Sequence, residues 1–264
     1  MESSATVVLR EKNKIAYLKL NRPHACNALN QTLIQELSRY LKSIAEDPSI
    51  RLVVLEGEGQ HFCAGADIKE MSALKNASHE KRLQEAQHLN EMLCHLSQVP
   101  QPIIACIQGQ VRGGGLGLVS CVDIAIASDN AEFAFSETRL GLIPALISPY
   151  VVAAIGARHA FAYMLSAEVF SATEALRIGL IHKSTTNLEL SNARDILIAT
   201  LLRNGPCALK EVKALAKTLR NPVPFGLQEN LMAKLAELQG HEEAREGLLA
   251  FIEKRKPTWA IDVS

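Results

Sequence analysis

The sequence predicts an α/β core followed by a helical C-terminal portion, and three observations carry the prediction. Short apolar strands alternate with amphipathic helices from residue 6 to residue 135. Two of the strands run through glycine- and alanine-rich loops straight into helices, in "VVLEGEGQHFCAGADIKEM" and "IIACIQGQVRGGGLGLVS". From Ser148 onward, helical patterns follow one another almost without strands between them. Alternation of this kind builds layered α/β domains, and a terminal run of helices stands apart from the sheet.

"TVVLRE" and "IAYLKLN", separated by "KNK", predict two strands of a hairpin. Leu33, Ile34, Leu37, Leu41 and Ile44 recur at helical spacing over 30–46, with Asn30 as N-cap. "DPS" breaks that helix, and "RLVVLEG" predicts a buried strand. After the loop "EGQHFCAGAD", one polar helical stretch is expected to run to about Ser97, with Leu83, Ala86, Leu89, Leu93 and Leu96 as its apolar side. "VPQP" stops it, because proline disfavours helix at the preceding residue. "IIACIQG" is the next strand, the triple glycine opens a short helix, and "DIAIAS" and "EFAF" are further strands. Helices are predicted over 148–166, 172–179, 190–203, 206–219, 227–238 and 241–255, with "NPVPFG" as the best linker candidate.

Composition excludes several classes. With 264 residues, 48% of them hydrophobic and 21% charged, the chain can bury a sizeable core. Lys+Arg and Asp+Glu both total 28, so no net charge draws the chain towards nucleic acid, and no nucleic-acid partner is expected. No run of about 18 uncharged apolar residues suggests a membrane span. "MESSATVVLREKNK" lacks a basic segment followed by an apolar one, so cytoplasm is the expected location. The six cysteines are scattered without a CxxC pair, which suits reduced thiols.

The familiar catalytic signatures are missing. No Lys-Ser or Lys-Thr follows the glycine cluster, so it is not a phosphate-binding P-loop. Gly113 and Gly115 have dinucleotide-fingerprint spacing, but Leu118 occupies the third glycine position. There is no GxSxG elbow and no HExxH, and no metal is expected. His88 and His95 share a helix face and are expected to face solvent. The two glycine-rich loops remain. Each delivers the chain to a helix N-terminus, whose backbone N–H groups are unpaired and carry partial positive charge. Two such termini brought together would form an oxyanion hole. The same glycines would equally serve close packing of strand against helix.

"HFCAGADIKEM", "GGG…CVDIAIAS", "SETRLGLIP" and "EGLLAFIEKRKPTW" occur in the order and at the separations of the landmarks of one family. The chain thereby resembles the crotonase (enoyl-CoA hydratase/isomerase) superfamily over nearly its whole length. The resemblance implies a spiral core of ββα units over 1–200 and a helical region over 201–264 that builds homotrimers, often paired into hexamers. It implies an acyl-CoA substrate, coenzyme A being part of that substrate and no separate cofactor being expected. It assigns the backbone N–H groups of Ala66 and Gly114 to the thioester oxygen. It places Ala64, Asp67, Ile68 and Lys69 along the coenzyme A channel, with His24, Ala25 and Cys26 as a second contacting segment. Phe251 and Lys254 match C-terminal positions that reach the nucleotide end, frequently from a neighbouring subunit.

The hydratases of this superfamily use two glutamates. Glu137 matches one position; Gly117 stands at the other. A glycine transfers no proton, so acid–base work falls to Glu137 alone or to another polar group, with Ser136, Ser148, Arg112 and Arg139 as candidates. Three readings stay open. One is hydration with a single glutamate, Gly117 clearing space beside the β-carbon for a branched substituent. "LGLIPALISPYVVAAIG" is similar to bacterial hydratases of branched, carboxylated substrates such as 3-methylglutaconyl-CoA and carboxygeranoyl-CoA. For such a carboxylate, Arg112 or Arg139 is the expected partner. The others are a 3,2-enoyl-CoA isomerase and a non-catalytic CoA-binding protein.

Overall fold

Two consecutive residues with positive φ, Asn13 at 53° and Lys14 at 63°, turn the chain between β1 (Val7–Lys12) and β2 (Ile15–Leu20). That pair suits a tight hairpin, whose twist matches that of its strands. The structure is a computed structural model, and it describes residues 5–74, 77–218 and 242–261. The helix expected over 227–238 and the candidate linker "NPVPFG" lie outside them.

After the hairpin, β3 (Leu52–Gly57), β4 (Ile103–Ile107), β6 (Ile124–Ser128) and β9 (Lys183–Thr185) extend a six-stranded sheet in the order β1-β2-β3-β4-β6-β9. All its pairings except β1–β2 are parallel. A second, three-stranded sheet contains β5 (Gln110–Arg112), β7 (Glu132–Ala134) and β8 (Phe170–Ser171). These two- and three-residue strands are too short to show a period, which is why β5, β8 and β9 escape the sequence pattern.

Along β3, Val53 and Leu55 join one core, while Leu52 and Val54 join the other. Successive side chains of a strand point to opposite faces, so the large sheet is covered on both. On the first face lie α1 (Gln31–Glu46), α3 (His79–Gln98), α4 (Gly114–Cys121) and α5 (Ser148–Ser166). On the second lies α7 (Leu190–Leu202), through Leu190, Ala193, Ile198 and Leu202. The helix α1 starts as predicted, with Asn30 Oδ1 accepting from Leu33 N at 3.0 Å.

The chain visits the large sheet, then the small one, then a helix: β4–β5–α4, followed by β6–β7 and α5. A third turn of the same kind precedes them, because Cys63, after β3, bridges Val111 of β5 before the chain enters α2 (Ile68–Ala73). These stacked turns are the spiral of ββα units.

Several expectations are corrected. The helical stretch to Ser97 is two helices, α2 and α3, and Ser78 caps the second by accepting from Lys81 N at 3.2 Å. Of its expected apolar side, Leu83 is exposed, whereas Leu93 and Leu96 are buried. His88 and His95 are half-buried against α1 rather than facing solvent. Their Nδ1 atoms lie 2.9 Å from Gln31 Oε1 and 2.7 Å from Ser38 Oγ respectively. The helix α5 breaks at Gly156, whose φ of 75° and ψ of 155° are non-helical.

Further on, α6 (Ala172–Arg177) precedes β9, and α8 (Pro206–Thr218) and α9 (Glu242–Ile252) complete the described chain. Polar contacts tie these last two helices down. Lys213 Nζ reaches Asp123 Oδ2 at 2.6 Å, and that oxygen also accepts from Ile103 N at 2.7 Å. The buried Arg51 guanidinium donates to the carbonyls of Leu202, Asn204 and Trp259. Among the described residues no helix is long and apolar enough to cross a membrane.

Candidate active site

Cys63, Val111 and Phe133 lie in register on three stacked turns, through the bridge Cys63↔Val111 and the pairing Val111↔Phe133. Three residues further along each turn come Ala66, Gly114 and Ser136, and Glu137 follows directly. The same offset from one register line sets the two expected N–H donors side by side, and one residue more brings in the expected carboxylate. All three, Ala66, Gly114 and Glu137, line one cavity of about 400 Å³.

The two N–H groups are free for local reasons. Ala66 forms a parallel bridge with Leu29, in which Leu29 N donates to Gly65 O at 2.7 Å and Asp67 N donates to Leu29 O at 3.0 Å. That arrangement consumes the groups on either side of Ala66 and leaves its own N–H unbonded. Gly114 is the first residue of α4, where an N–H has no intrahelical partner. Its two neighbouring glycines are there for close approach. A Cβ on Gly115 would lie 2.6 Å from Cys63 O. Gly113 has φ 43°, and a Cβ there would lie 3.0 Å from Glu137 Oε1. Helix and carboxylate therefore both touch glycine backbone.

Glu137 opens a 3-10 turn, Glu137–Leu140, closed by Gly141 with φ 70°. Its Oε2 is buried without a hydrogen-bond partner. Burial pushes its pKa above the ordinary glutamate value, and its own backbone N–H offsets only part of that. A carboxyl group in such surroundings holds its proton more tightly than an exposed glutamate does, as a group that must both take up and return a proton requires. The neighbouring Cys63 thiol is no competitor as a nucleophile, since burial pushes its pKa up to about 12.

No open space lies beside Gly117. A Cβ built there would be 2.3 Å from Ile147 Cγ2, 3.1 Å from Ile147 Cβ and 3.4 Å from Leu93 Cδ2. The expectation that this glycine clears room for a branched substituent is therefore corrected. Ile147, a buried residue of the cavity wall, fills the volume a second carboxylate would need.

None of the four polar candidates lines the cavity. Arg112 is occupied by Glu132, its Nη2 lying 3.0 Å from Oε2 and its Nη1 donating to the main-chain O at 2.7 Å. Ser148 Oγ donates to Ala145 O at 2.9 Å, Arg139 is exposed, and Ser136 is half-buried off the wall. The cation on the wall is Arg82, on α3, which the sequence pattern does not single out.

Of the expected coenzyme A segment, Asp67 lines the cavity, but its carboxylate serves the fold. It caps α2 by accepting from Lys69 N at 2.9 Å and pairs with Arg22 at 2.8 Å. Burial alone would raise its pKa; Arg22 and the backbone N–H groups of Lys69 and Glu70 outweigh that and hold it low. Ile68 and Lys69 are exposed beside it, and Ala64 is half-buried. Ala64 N donates to Cys26 O at 2.9 Å, which brings the His24, Ala25 and Cys26 turn alongside. Asn27, also unforeseen, is fully buried and holds this turn to the Ala66 loop, donating to Glu58 O at 2.9 Å and His61 O at 2.7 Å. Lys254 is exposed with φ 53° just past α9 and is not part of the cavity wall. Phe251 lies within α9, and its side chain is outside the described residues.

A larger cleft, about 700 Å³, lies around His61, Gln108 and Arg194 and contains none of the three central groups. Its cations are already paired, Lys19 with Glu58 at 2.9 Å and Arg194 with Asp195 at 2.8 Å.

Comparison with known proteins agrees with this fold. The enoyl-CoA hydratase/isomerase family model matches residues 10–261. The chain is 32% identical to the short-chain-enoyl-CoA hydratase of Clostridium acetobutylicum, with 95% of each chain covered. It is also 32% identical to the 2,3-dehydroadipyl-CoA hydratase of Escherichia coli, over 95% of this chain and 97% of that one. The crystal structure of an enoyl-CoA hydratase from Shewanella pealeana superposes with a TM-score of 0.91 at 36% identity, covering 96% of each chain. With its stacked ββα turns and a match over nearly its full length, the chain belongs to the enoyl-CoA hydratase/isomerase family.

Proposed function

We propose that the protein hydrates the 2,3 double bond of an enoyl-CoA, with Glu137 as its single acid–base group. The observation that carries this reading is the buried, unpartnered Oε2 of Glu137 on the wall shared with Ala66 and Gly114. The thioester oxygen accepts from the Ala66 and Gly114 N–H groups. Glu137 takes a proton from water while the water oxygen bonds to C3. The π electrons move through C1 onto the thioester oxygen, where the two donors stabilise the enolate. Collapse of the enolate draws the same proton from Glu137 to C2. One O–H bond breaks, one C–O and one C–H bond form, and the carboxylate is restored, so a second carboxylate is not required.

Coenzyme A then runs past 24–26 and 64–69, with Phe251 and Lys254 supplied towards its nucleotide end. Arg82 suits an acyl chain ending in a carboxylate, the class for which the Escherichia coli relative is named. Isomerisation is the second reading, favoured by the apolar filling at Gly117, since one carboxylate can remove a proton and return it elsewhere.

The test is a panel of 2-enoyl-CoA and 3-enoyl-CoA thioesters in oxygen-18 water. Hydration places the label in a 3-hydroxyacyl product. Unlabelled conversion of 3-enoyl to 2-enoyl would replace hydratase by isomerase, and thioester binding without turnover would leave a CoA-binding protein. Glu137→Gln is expected to lower kcat about 10²–10⁴-fold. Unchanged turnover would show Glu137 to be the wrong group.

A further inference from the structure

We infer that Ile147 is a specificity-determining residue that limits the size of the substituents carried by C3 of the acyl chain. The inference rests on the proposed acyl-CoA reading. Gly117 stands three residues after Gly114 on α4, so the two share one side of the helix. At 1.5 Å per residue, Gly117 is about 4.5 Å further along the axis. An acyl chain whose C1 oxygen is held at Gly114 brings C3 and its substituents to about that distance. What meets them there is not a polar group but the Ile147 side chain, seated on the bare backbone of Gly117.

The contact is too close to be incidental. With 2.3 Å between a built Gly117 Cβ and Ile147 Cγ2, even alanine at 117 would displace the isoleucine. Ile147 is 3% exposed, and the buried Leu93 is also packed near Gly117. It lies on the cavity wall that carries Glu137 and Gly114. Its β-branched side chain has few rotamers to yield into. The wall beside the reacting carbons is thus rigid and apolar, and its position is set by one side chain.

The experiment compares Ile147→Ala and Ile147→Val with the unaltered protein on crotonyl-CoA and 3-methylcrotonyl-CoA. It reads kcat/KM for each, and Kd for the saturated analogues butyryl-CoA and isovaleryl-CoA. A hydrophobic wall discriminates by about 10–200-fold per methylene. Ile147→Ala should therefore move the branched-to-linear ratio towards the branched thioester by at least about tenfold, and Ile147→Val in the same direction by less. If the alanine variant does not fold, the valine variant decides. An unaltered ratio in a variant that still turns over crotonyl-CoA overturns the role of Ile147 and leaves the acyl-CoA reading standing. An unaltered protein that neither binds nor converts any of the four overturns both.

Discussion

Glu137 carries a charge that its surroundings oppose, and this has a measurable cost. Its pKa is raised in the folded chain, so the folded state holds that proton more tightly than the unfolded state does. The resulting stability is fully present below the unfolded value near pH 4 and is lost as pH rises through the folded value. Glu137→Gln removes the charge but keeps the shape. In thermal melts at pH 8 it should raise Tm, with the difference closing as pH approaches 4. A lower Tm at pH 8 would show that the carboxylate has a stabilising partner. On the proposed mechanism, the acid limb of kcat/KM should lie above the ordinary glutamate value, because protonation would remove the base. That Glu137, Ala66 and Gly114 would line one cavity was legible in sequence through their motifs. Ile147 was not, since nothing in the spacing tells that a side chain 30 positions away fills the space over Gly117.

Among the elements, the turn between β2 and α1 positions the site without forming its wall. Asn27 has φ 55°, a conformation asparagine tolerates better than most residues, and its Oδ1 accepts from Arg22 N at 2.8 Å. Asn27→Ala would orphan that N–H and the carbonyls of Glu58 and His61. The expected loss is about 2–4 kcal/mol, read as a lower urea midpoint, with acyl-CoA turnover falling as the Ala66 loop loosens. A midpoint within error of the unaltered protein would show that the three groups find other partners. Asn27 is hard to recognise beforehand because asparagine in "HACNALN" reads as an ordinary turn residue. Long amphipathic helices such as α1 were legible to the residue, cap included. The break between α2 and α3 was not, since the polar stretch offers no proline or glycine to mark it.

Across the whole molecule, "LVVLEG", "IIACI" and "IAIAS" announced strands of an α/β core, but neither their parallel pairing nor their order in the sheet. Strand order depends on long-range pairing, and so does the register line through Cys63, Val111 and Phe133 that assembles the site. Arg51 shows the same limit. Directly before β3, it is buried and binds three carbonyls from the C-terminal part of the chain, partners that no local pattern in the sequence marks. Arg51→Met keeps much of the volume but none of the donors. Its expected cost is about 2–4 kcal/mol, with protease cleavage of the 242–261 segment appearing before global melting. Cleavage and melting that stay coincident would show that other contacts hold the segment.

The seating of Ile147 on Gly117 also constrains the order in which further substitutions can be accepted. A descendant acquiring glutamate at 117 would meet an already full interior, whereas one that first shortened residue 147 would meet a void. Acquisition of a two-acid site is therefore order-dependent: the small residue at 147 has to arrive first, and either first step alone carries a penalty.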